Sequence, residues 1–274
     1  MLELCDVYKT FHPGTVNEKK ALCGLNLRLG PGEFVTVIGG NGAGKSTLLN
    51  AVAGVWPVDA GRVRIGGRDV TGLPEYRRAA FIGRVFQDPM LGTAPDMQIG
   101  ENLALAARRG QKRGLRRGLT RAERGEYRDR LAALGLGLED RMTVRAGLLS
   151  GGQRQALTLL MAALRKPELL LLDEHTAALD PRTAALVLAL TDRLIAENGL
   201  TALMITHNLR DAIAHGTRLI MMQEGRIILD LGSRRRGKAA ADRRRSAAAL
   251  FRRRRRAVRQ RPRPARRRLS RAAR

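Results

Sequence analysis

A glycine-rich turn between a buried strand and a helix limits most strongly how this chain can fold. The turn fits the pattern G-x-x-x-x-G-K-[ST]. Phe34–Ile38, a continuous apolar run rich in β-branched residues, predicts a buried strand before it, and helical spacing follows from about Lys45 to Gly54. The turn consists of Gly39, Gly40, Asn41, Gly42, Ala43, Gly44, Lys45, Ser46 and Thr47.

This turn has the composition of a phosphate-binding loop. Glycines allow backbone N–H groups to converge on phosphate oxygens, and the helix N-terminus adds partial positive charge. The ammonium group of Lys45 can bridge the β- and γ-phosphates of a nucleotide. The hydroxyl of Ser46 suits Mg²⁺, because this hard cation prefers oxygen ligands.

Strand and helix patterns alternate along the chain, which predicts an α/β fold with a mainly parallel sheet. Leu2–Val7 and Leu22–Leu29 alternate as half-buried strands do, and a polar loop is expected over Phe11–Lys20. Asn102–Leu138 has helical character and predicts a helical subdomain. The other expected elements are strands at Val63–Ile65, Ile82–Phe86, Leu169–Leu172 and Ala202–Thr206, helices at Gln153–Arg165, Pro181–Glu197 and Leu209–His215, and a hairpin of Leu219–Gln223 with Arg226–Asp230.

Two further motifs place polar residues at the end of a predicted strand and at the start of a predicted helix. Asp173 and Glu174 end a buried strand, and open α/β sheets bind ligands at the carboxyl ends of their strands. We expect Asp173 to hold Mg²⁺ and Glu174 to polarise an attacking water; a structural role for the pair is the alternative. Ser150 is a good N-cap for the helix that follows it, and the exposed N–H groups of that helix start would make a second anion site.

The segment Ser150-Gly151-Gly152-Gln153, 23 residues before Asp173, resembles the signature of ATP-binding-cassette (ABC) ATPases. Three other positions match that family's pattern in order. Gln87 matches a glutamine that senses Mg²⁺ and the transmembrane partner, Asp180 an aspartate that couples two nucleotide sites, and His207 a histidine on the γ-phosphate. Phe11 matches the aromatic residue that stacks on adenine, with Tyr8 as a possible substitute.

The resemblance covers residues 1–231 and implies a P-loop NTPase of the ABC type. It implies an N-terminal antiparallel β subdomain, a mainly parallel core sheet and a helical subdomain at about residues 95–160. ATP and Mg²⁺ are the implied cofactors, with hydrolysis in a head-to-tail homodimer. In that dimer Ser150 and Gly152, with Gln153 nearby, complete the site of the opposite subunit. The implied partners are an integral-membrane permease and, indirectly, a solute-binding protein, at the cytoplasmic face of the membrane.

Two departures from the family pattern narrow the resemblance. His175 stands where the family usually has proline, and the phosphate loop contains the doublet Gly39-Gly40. Both features resemble a group of bacterial importer ATPases connected with amino-acid uptake, including tryptophan or tyrosine. We favour a tolerated loop substitution as the explanation of His175. The transported solute does not follow from the sequence, because the permease and the binding protein choose it.

The net charge of +26 comes from two segments. Residues 232–274 contain 20 basic residues and one acid, and residues 108–130 contain ten basic residues and three acids, so the rest of the chain is neutral. We expect residues 232–274, the arginine-rich tail, to be disordered alone, because like charges repel and the segment cannot bury apolar area. The tail could bind anionic lipid or nucleic acid, or could result from a reading-frame shift. A non-transport ABC ATPase that acts on nucleic acid through this tail is the disfavoured alternative function. Residues 108–130, which we call the basic insert, are interpreted either as a solvated helix face or as a contact with lipid headgroups.

The remaining features exclude other classes of protein. Two cysteines, Cys5 and Cys23, exclude a disulfide scaffold, and we expect both to be small buried hydrophobes. The N-terminus lacks the basic and apolar regions of a secretory signal, and no apolar stretch approaches the roughly 20 residues of a membrane span. We therefore expect a cytoplasmic protein. No motif includes His12 or His215, which we expect at the surface.

Overall fold

A computed structural model describes residues 1–111 and 118–232, so the arginine-rich tail lies outside the described residues. The strands are β1 (Leu2–Phe11), β2 (Lys19–Leu29), β3 (Phe34–Gly39), β4 (Ala60–Ile65), β5 (Arg68–Asp69), β6 (Ile82–Val85), β7 (Leu169–Asp173), β8 (Ala202–Ile205), β9 (Arg218–Gln223) and β10 (Arg226–Leu231). The helices are α1 (Lys45–Ala53), α2 (Glu75–Arg78), α3 (Ile99–Ala107), α4 (Arg121–Ala132), α5 (Gly151–Ala163), α6 (Pro181–Asn198) and α7 (Leu209–Ala214).

The strands form two sheets, which confirms the expected α/β class. An antiparallel sheet has the order β2-β1-β4-β5, and a second sheet has the order β10-β9-β3-β8-β7-β6. In the second sheet every neighbouring pair from β9 to β6 is parallel, and only β10 pairs antiparallel, with β9. The strands β3, β6, β7 and β8 therefore all end at one edge of this sheet, which we call the carboxyl edge.

Burial explains why the central strands are continuous apolar runs. Leu169–Leu172 of β7 and all of β8 are buried, since helices or the other sheet cover both faces of the parallel sheet. One core cluster joins the antiparallel sheet and α1 to the parallel sheet. A second cluster packs α5 and α6 against β7 and β8, and a third lies among α3, α4 and α5.

The first loop differs from its predicted extent. The predicted polar loop over Phe11–Lys20 is shorter, because β1 continues to Phe11 and β2 already begins at Lys19. Both strands remain paired there, with Phe11 opposite Lys19. The polar side chains of this stretch can face solvent while the backbone bonds continue, so polarity alone did not mark the end of the strand.

The basic insert is partly structural. Arg109 is half-buried and donates to the carbonyl of Ala162, 3.1 Å away, and Arg108 pairs with Glu123 at 2.9 Å. These bonds connect the end of α3 to α4 and α5, so these two arginines are not simply a solvated face. Residues 112–117, the middle of the insert, lie outside the described part. Among the described residues, no helix is long and apolar enough to cross a membrane.

Three expectations about individual side chains are wrong. Cys5 is exposed and Cys23 is half-buried, so neither is a buried hydrophobe. His215 is also half-buried, and its Nδ1 lies 2.6 Å from a carboxylate oxygen of Asp192. His12 is exposed, as expected.

Arg78 is a buried cation that sequence patterns do not explain. It is 2% exposed, and its guanidinium donates to four backbone carbonyls at 2.8 to 3.0 Å. Two of these acceptors close the last turn of α1, and the other two precede α2; they belong to Ala51, Val52, Thr71 and Leu73. Arg78 therefore fixes the C-terminal end of the helix that follows the phosphate loop.

We expect Arg78→Met to lower the free energy of unfolding by roughly 3 kcal/mol, because it leaves buried carbonyls without donors. Urea unfolding monitored by circular dichroism measures this change. Arg77→Met is the matched control, since Arg77 is the exposed neighbour and its loss should change stability by less than about 0.5 kcal/mol. Equal effects of the two substitutions would contradict the structural role of Arg78.

Candidate nucleotide site

Two of the four glycines of the phosphate loop, Gly39 and Gly44, are required by close backbone contacts. A Cβ at Gly39, the last residue of β3, would lie 2.5 Å from the carbonyl oxygen of Met222. Gly44 has φ of 97°, and a Cβ there would lie 2.4 Å from the carbonyl oxygen of Ala21. The loop is thus held tightly between β9 and β2, while Gly40, Asn41 and Gly42 remain exposed.

Lys45 lies inside this loop at the start of α1. Its side chain is 7% exposed, and Nζ donates to the carbonyls of Gly39 at 2.9 Å and Gly40 at 3.3 Å. The ammonium group is therefore surrounded by the turn whose backbone N–H groups can receive phosphate. Ser46 is exposed on the first turn of α1, whereas Ala43 and Thr47 are buried.

The carboxyl edge brings the acidic pair and the histidine to the same place as this loop. In the sheet, β8 lies between β3 and β7, so His207, two residues after β8, reaches Glu174, the residue after β7. His207 Nδ1 and Glu174 Oε2 are 3.2 Å apart. Glu174 has φ of 44°, and its N–H donates to the carbonyl of Ile205 at 3.0 Å, which fixes its backbone to β8.

Asp173 is the last residue of β7 and is half-buried. Burial raises the pKa of its carboxyl, while the positive charges of Arg84 and Lys45 act to lower it. The nearest guanidinium nitrogen of Arg84 lies 3.8 Å from Asp173 Oδ2. The edge therefore combines a desolvated carboxylate with two cations.

Arg84 is a site residue that sequence reasoning missed. Its guanidinium donates to Asn50 of α1 at 2.7 Å, lies 3.6 Å from Glu75, and stacks 4.6 Å from the ring centre of Phe86. The available signal was a charged residue in the short apolar strand β6, three residues before Gln87. It was missed because the partners of Arg84 are distant in sequence.

An open groove of about 770 Å³ lies beside this edge. We call it the Gln87 groove. Its polar lining includes Gln87 and Asp173, and its apolar lining includes the exposed side chains of Val55 and Leu91. The full lining is Asn50, Val55, Glu75, Arg84, Phe86, Gln87, Asp88, Leu91, Asp173 and Ala178.

The predicted second anion site forms the start of α5. Ser150 caps this helix in a reciprocal pair with Gln153, in which each side chain accepts from the other backbone N–H at 3.3 Å. Gly151 follows, and Gly152 packs so closely on α6 that a Cβ would lie 2.1 Å from Thr183 Cγ2. In residues 1–111 and 118–232, no hydrogen bond or ion pair joins Ser150–Gln153 to the phosphate loop.

The last two predicted site residues are Asp180, at the start of α6, and Phe11, at the end of β1. Asp180 caps α6, with Oδ1 accepting from the N–H groups of Arg182 and Thr183 at 3.1 Å each. Phe11, at the end of β1, packs edge to face with Trp56, with ring centres 4.9 Å apart. Trp56 was not predicted, and its side chain orients the ring that we expect to stack on adenine.

His175, for which we favour a tolerated loop substitution, has a buried side chain. Its side chain is 2% exposed and Nε2 lies 3.0 Å from the hydroxyl of Thr191 on α6. Burial, with the charge of His215 second, lowers the pKa of His175 from 6.5 to about 4. The imidazole is therefore neutral at physiological pH, and the residue is part of the core between β7 and α6.

The family model described as ABC transporter matches residues 22–177, more than half of the chain. The chain belongs to the ABC transporter family. A tyrosine transport ATP-binding protein of Clostridioides difficile (strain R20291) is 41% identical over 86% of this chain and 94% of its own length. A lipoprotein-releasing system ATP-binding protein of Caulobacter vibrioides is 38% identical over 83% of this chain and 94% of that protein.

Solved ABC structures share the fold. A dimeric, post-hydrolysis ATP-binding cassette bound to ADP and Pi is 30% identical, has a TM-score of 0.73, and covers 86% of this chain and 100% of its own. The ABC ATP-binding domain binds and hydrolyses ATP, so this chain is the ATPase subunit of an ABC transporter. This confirms the predicted family, the enzyme class and ATP as the nucleotide.

The buried imidazole of His175 predicts how stability depends on pH. Its pKa is lower in the folded state, so its contribution is complete above pH 6.5 and is lost as pH falls toward 4. Between about pH 7.5 and about pH 5 the wild type should lose about 2 kcal/mol more unfolding free energy than His175→Gln, which does not titrate. Urea unfolding at both pH values measures this difference, and parallel losses in the two proteins would contradict it.

Proposed function

We propose that this subunit drives a bacterial ABC importer, hydrolysing Mg²⁺-ATP in a head-to-tail dimer that acts on separate permease subunits. One observation supports this proposal above all. The carboxyl edge collects the phosphate loop, Asp173–Glu174 and His207. Within the described residues, α5, which we call the signature helix because Ser150–Gln153 form its start, makes no hydrogen bond or ion pair to them. One chain therefore offers half of each nucleotide site.

In the proposed site, the chain's own residues position ATP and an attacking water. Lys45 exchanges its two loop carbonyls for oxygens of the β- and γ-phosphates, which it neutralises. Glu174 orients or activates the water, and His207, in contact with Glu174, holds the γ-phosphate. Phe11 supports the adenine ring. Phosphoryl transfer to water needs little more from a protein than such positioning and charge stabilisation.

The donor set fits Mg²⁺. Ser46 offers an exposed hydroxyl, Gln87 an exposed amide oxygen and Asp173 a carboxylate, all oxygen donors of the kind that this cation prefers. No cluster of three His, Cys, Asp or Glu residues that could hold a metal occurs in the described parts of the chain. One carboxylate with phosphate oxygens is typical of Mg²⁺ bound with ATP. When bound, Mg²⁺ would neutralise charge between the β- and γ-phosphates.

Dimer formation follows from the unused anion site. The N–H groups at the start of α5 and the Ser150 hydroxyl form a second phosphate-binding surface. In a head-to-tail dimer, Ser150 and Gly152 of the partner subunit face the ATP held by Lys45. Asp180, at the start of α6, lies in the same interface. A dimeric cassette among the solved relatives supports dimer formation.

The Gln87 groove is our candidate for the permease contact. Its apolar residues Val55 and Leu91 are exposed, and its polar lining includes Gln87, one of the proposed Mg²⁺ donors. A permease segment in this groove would place the ATPase at the cytoplasmic face of the membrane. Arg84 also lines the groove and contacts Asp173, so it connects that contact with the nucleotide site.

Uptake rather than export is supported by a methionine import ATP-binding protein of Rhizobium etli, 35% identical. The tyrosine transport relative, 41% identical, also supports an amino acid as the cargo. We propose an amino acid as the transported class, with delivery by a separate solute-binding protein. The lipoprotein-releasing relative represents the competing class, in which cargo leaves the membrane. ATPase stimulation of the reconstituted transporter by a loaded binding protein would separate the two classes.

Glu174→Gln should abolish steady-state ATP hydrolysis and retain ATP binding, because the amide cannot activate water. The variant should accumulate as an ATP-bound dimer, which size-exclusion chromatography with ATP detects. Nucleotide binding by fluorescence titration is the control for folding. Turnover near the wild-type rate would refute the role assigned to Glu174.

Ser150→Arg should block hydrolysis in the dimer, because the arginine takes the place of the serine hydroxyl that would contact the ATP of the partner subunit. The monomer should still bind ATP. ATPase assays and nucleotide titration measure the two effects. Loss of monomer binding would place Ser150 in the site of its own chain instead.

A mixture of variants tests the same arrangement more sharply. Ser150→Arg and Lys45→Ala each damage both sites of a homodimer. A heterodimer of the two retains one site with an intact Lys45 and an intact partner Ser150. Mixing should therefore restore ATP hydrolysis at one site of each heterodimer, and failure of the mixture to recover hydrolysis would count against the head-to-tail geometry.

A further inference from the structure

The side chain that follows Glu174 is anchored in the core rather than in the nucleotide site. His175 is 2% exposed, and its Nε2 lies 3.0 Å from Thr191 Oγ1 in the middle of α6. Thr191 is itself 1% exposed. A polar contact this deeply buried is costly to break, because water cannot replace either partner.

The direction of this hydrogen bond can be assigned. The hydroxyl of Thr191 donates to the carbonyl of Val187, 2.8 Å away. A hydroxyl has one hydrogen, so toward His175 it can only accept. Nε2 of His175 therefore bears the hydrogen and donates it, which fixes both the tautomer and the orientation of the ring.

The backbone of Glu174 needs such an anchor. Its φ of 44° places a non-glycine residue in the left-handed region, which persists only when surrounding contacts hold it. On one side the N–H of Glu174 is bound to Ile205 of β8 at 3.0 Å. On the other side the next residue is held to α6 through the His175–Thr191 bond. The carboxylate of Glu174, between these two anchors, points to His207 at 3.2 Å.

We propose that His175 is a positioning residue: its hydrogen bond to Thr191 holds the left-handed backbone of Glu174 so that the carboxylate faces His207 and the attacking water. The inference rests on the proposed role of Glu174 in activating water. It assigns a function to the residue that replaces the usual proline. It also makes Thr191, whose hydroxyl bonds to Val187 and His175 in the described residues, a determinant of turnover.

Thr191→Val tests the proposal with little change of shape. It removes the acceptor for His175, and the Glu174 carboxylate loses its fixed direction. We expect kcat for ATP hydrolysis to fall by roughly 10- to 100-fold, because small displacements of a reacting group have effects of this size. KM for ATP and nucleotide affinity should change less than about twofold, since Lys45 and the phosphate loop are untouched.

Three controls separate positioning from general destabilisation. Thr191→Ser keeps the acceptor and should restore most of the turnover. His175→Gln keeps an N–H donor and should lose less activity than His175→Leu. Thr158→Val removes another buried hydroxyl that donates to the carbonyl four residues earlier, at 3.0 Å, without a histidine partner, and should leave kcat unchanged. All assays are run well below the lowest melting temperature of the set.

The outcomes are distinguishable. Turnover of Thr191→Val within about twofold of wild type, or an equal loss in Thr191→Ser, would overturn the positioning role. Glu174→Gln is measured in parallel. If Glu174→Gln hydrolyses ATP normally, the proposed function of Glu174 fails. If Glu174→Gln is inactive and Thr191→Val is fully active, only the positioning role of His175 fails.

Discussion

The parallel pairing of β3, β8 and β7 is the constraint on which the nucleotide site depends. Their registers place Val37 beside Ile205, and Ile205 beside Asp173. Because the three strands end within two residues of the same level, the residues that follow them meet although they are far apart in sequence. A shift of one residue in β7 would turn Asp173 to the opposite face of the sheet. The buried apolar side chains on both faces prevent such a shift, so the packing of the core also fixes the geometry of the catalytic groups.

Much of the fold could be predicted because its strongest signals are local. The run Leu169–Leu172, its acidic end and the glycine pattern before Lys45 each depend on neighbouring residues only. Long-range partners left no such signal. His175 looks like any loop residue until α6 brings Thr191 to it, and Arg84 looks out of place in β6 until Asn50 and Asp173 surround it. The prediction that Cys5 is buried was wrong for the opposite reason. Its residue type favours burial, but its side chain in β1 is exposed.

The Gln87 groove and the signature helix belong to one connected body. Gln155 of α5 donates to the carbonyl of Phe86 at 3.1 Å, beside Gln87. Arg154, also buried, contacts the sulfur of Met90 in the same segment and donates to the carbonyls of Ala146 and Gly147, just before Ser150. If a permease segment moved the Gln87 groove, it would therefore also move the start of α5. This gives a physical route from the proposed permease contact to the proposed half-site for the ATP of the partner subunit.

In the proposed head-to-tail dimer, the equilibrium between open and closed states sets how much binding free energy each half-site must contribute. To convert a dimer from 1% to 99% closed, ligands must favour the closed state by about 5.5 kcal/mol in total. Two ATP molecules share this requirement, so each must gain about half of it, on the order of 3 kcal/mol, from contacts that exist only on closure. One or two charge-assisted hydrogen bonds supply that amount. The Ser150 hydroxyl and the N–H groups of Gly151 and Gly152 are enough donors. Contacts of ATP with Lys45 cannot drive closure, however strong they are, because they are equally present in the open and closed states.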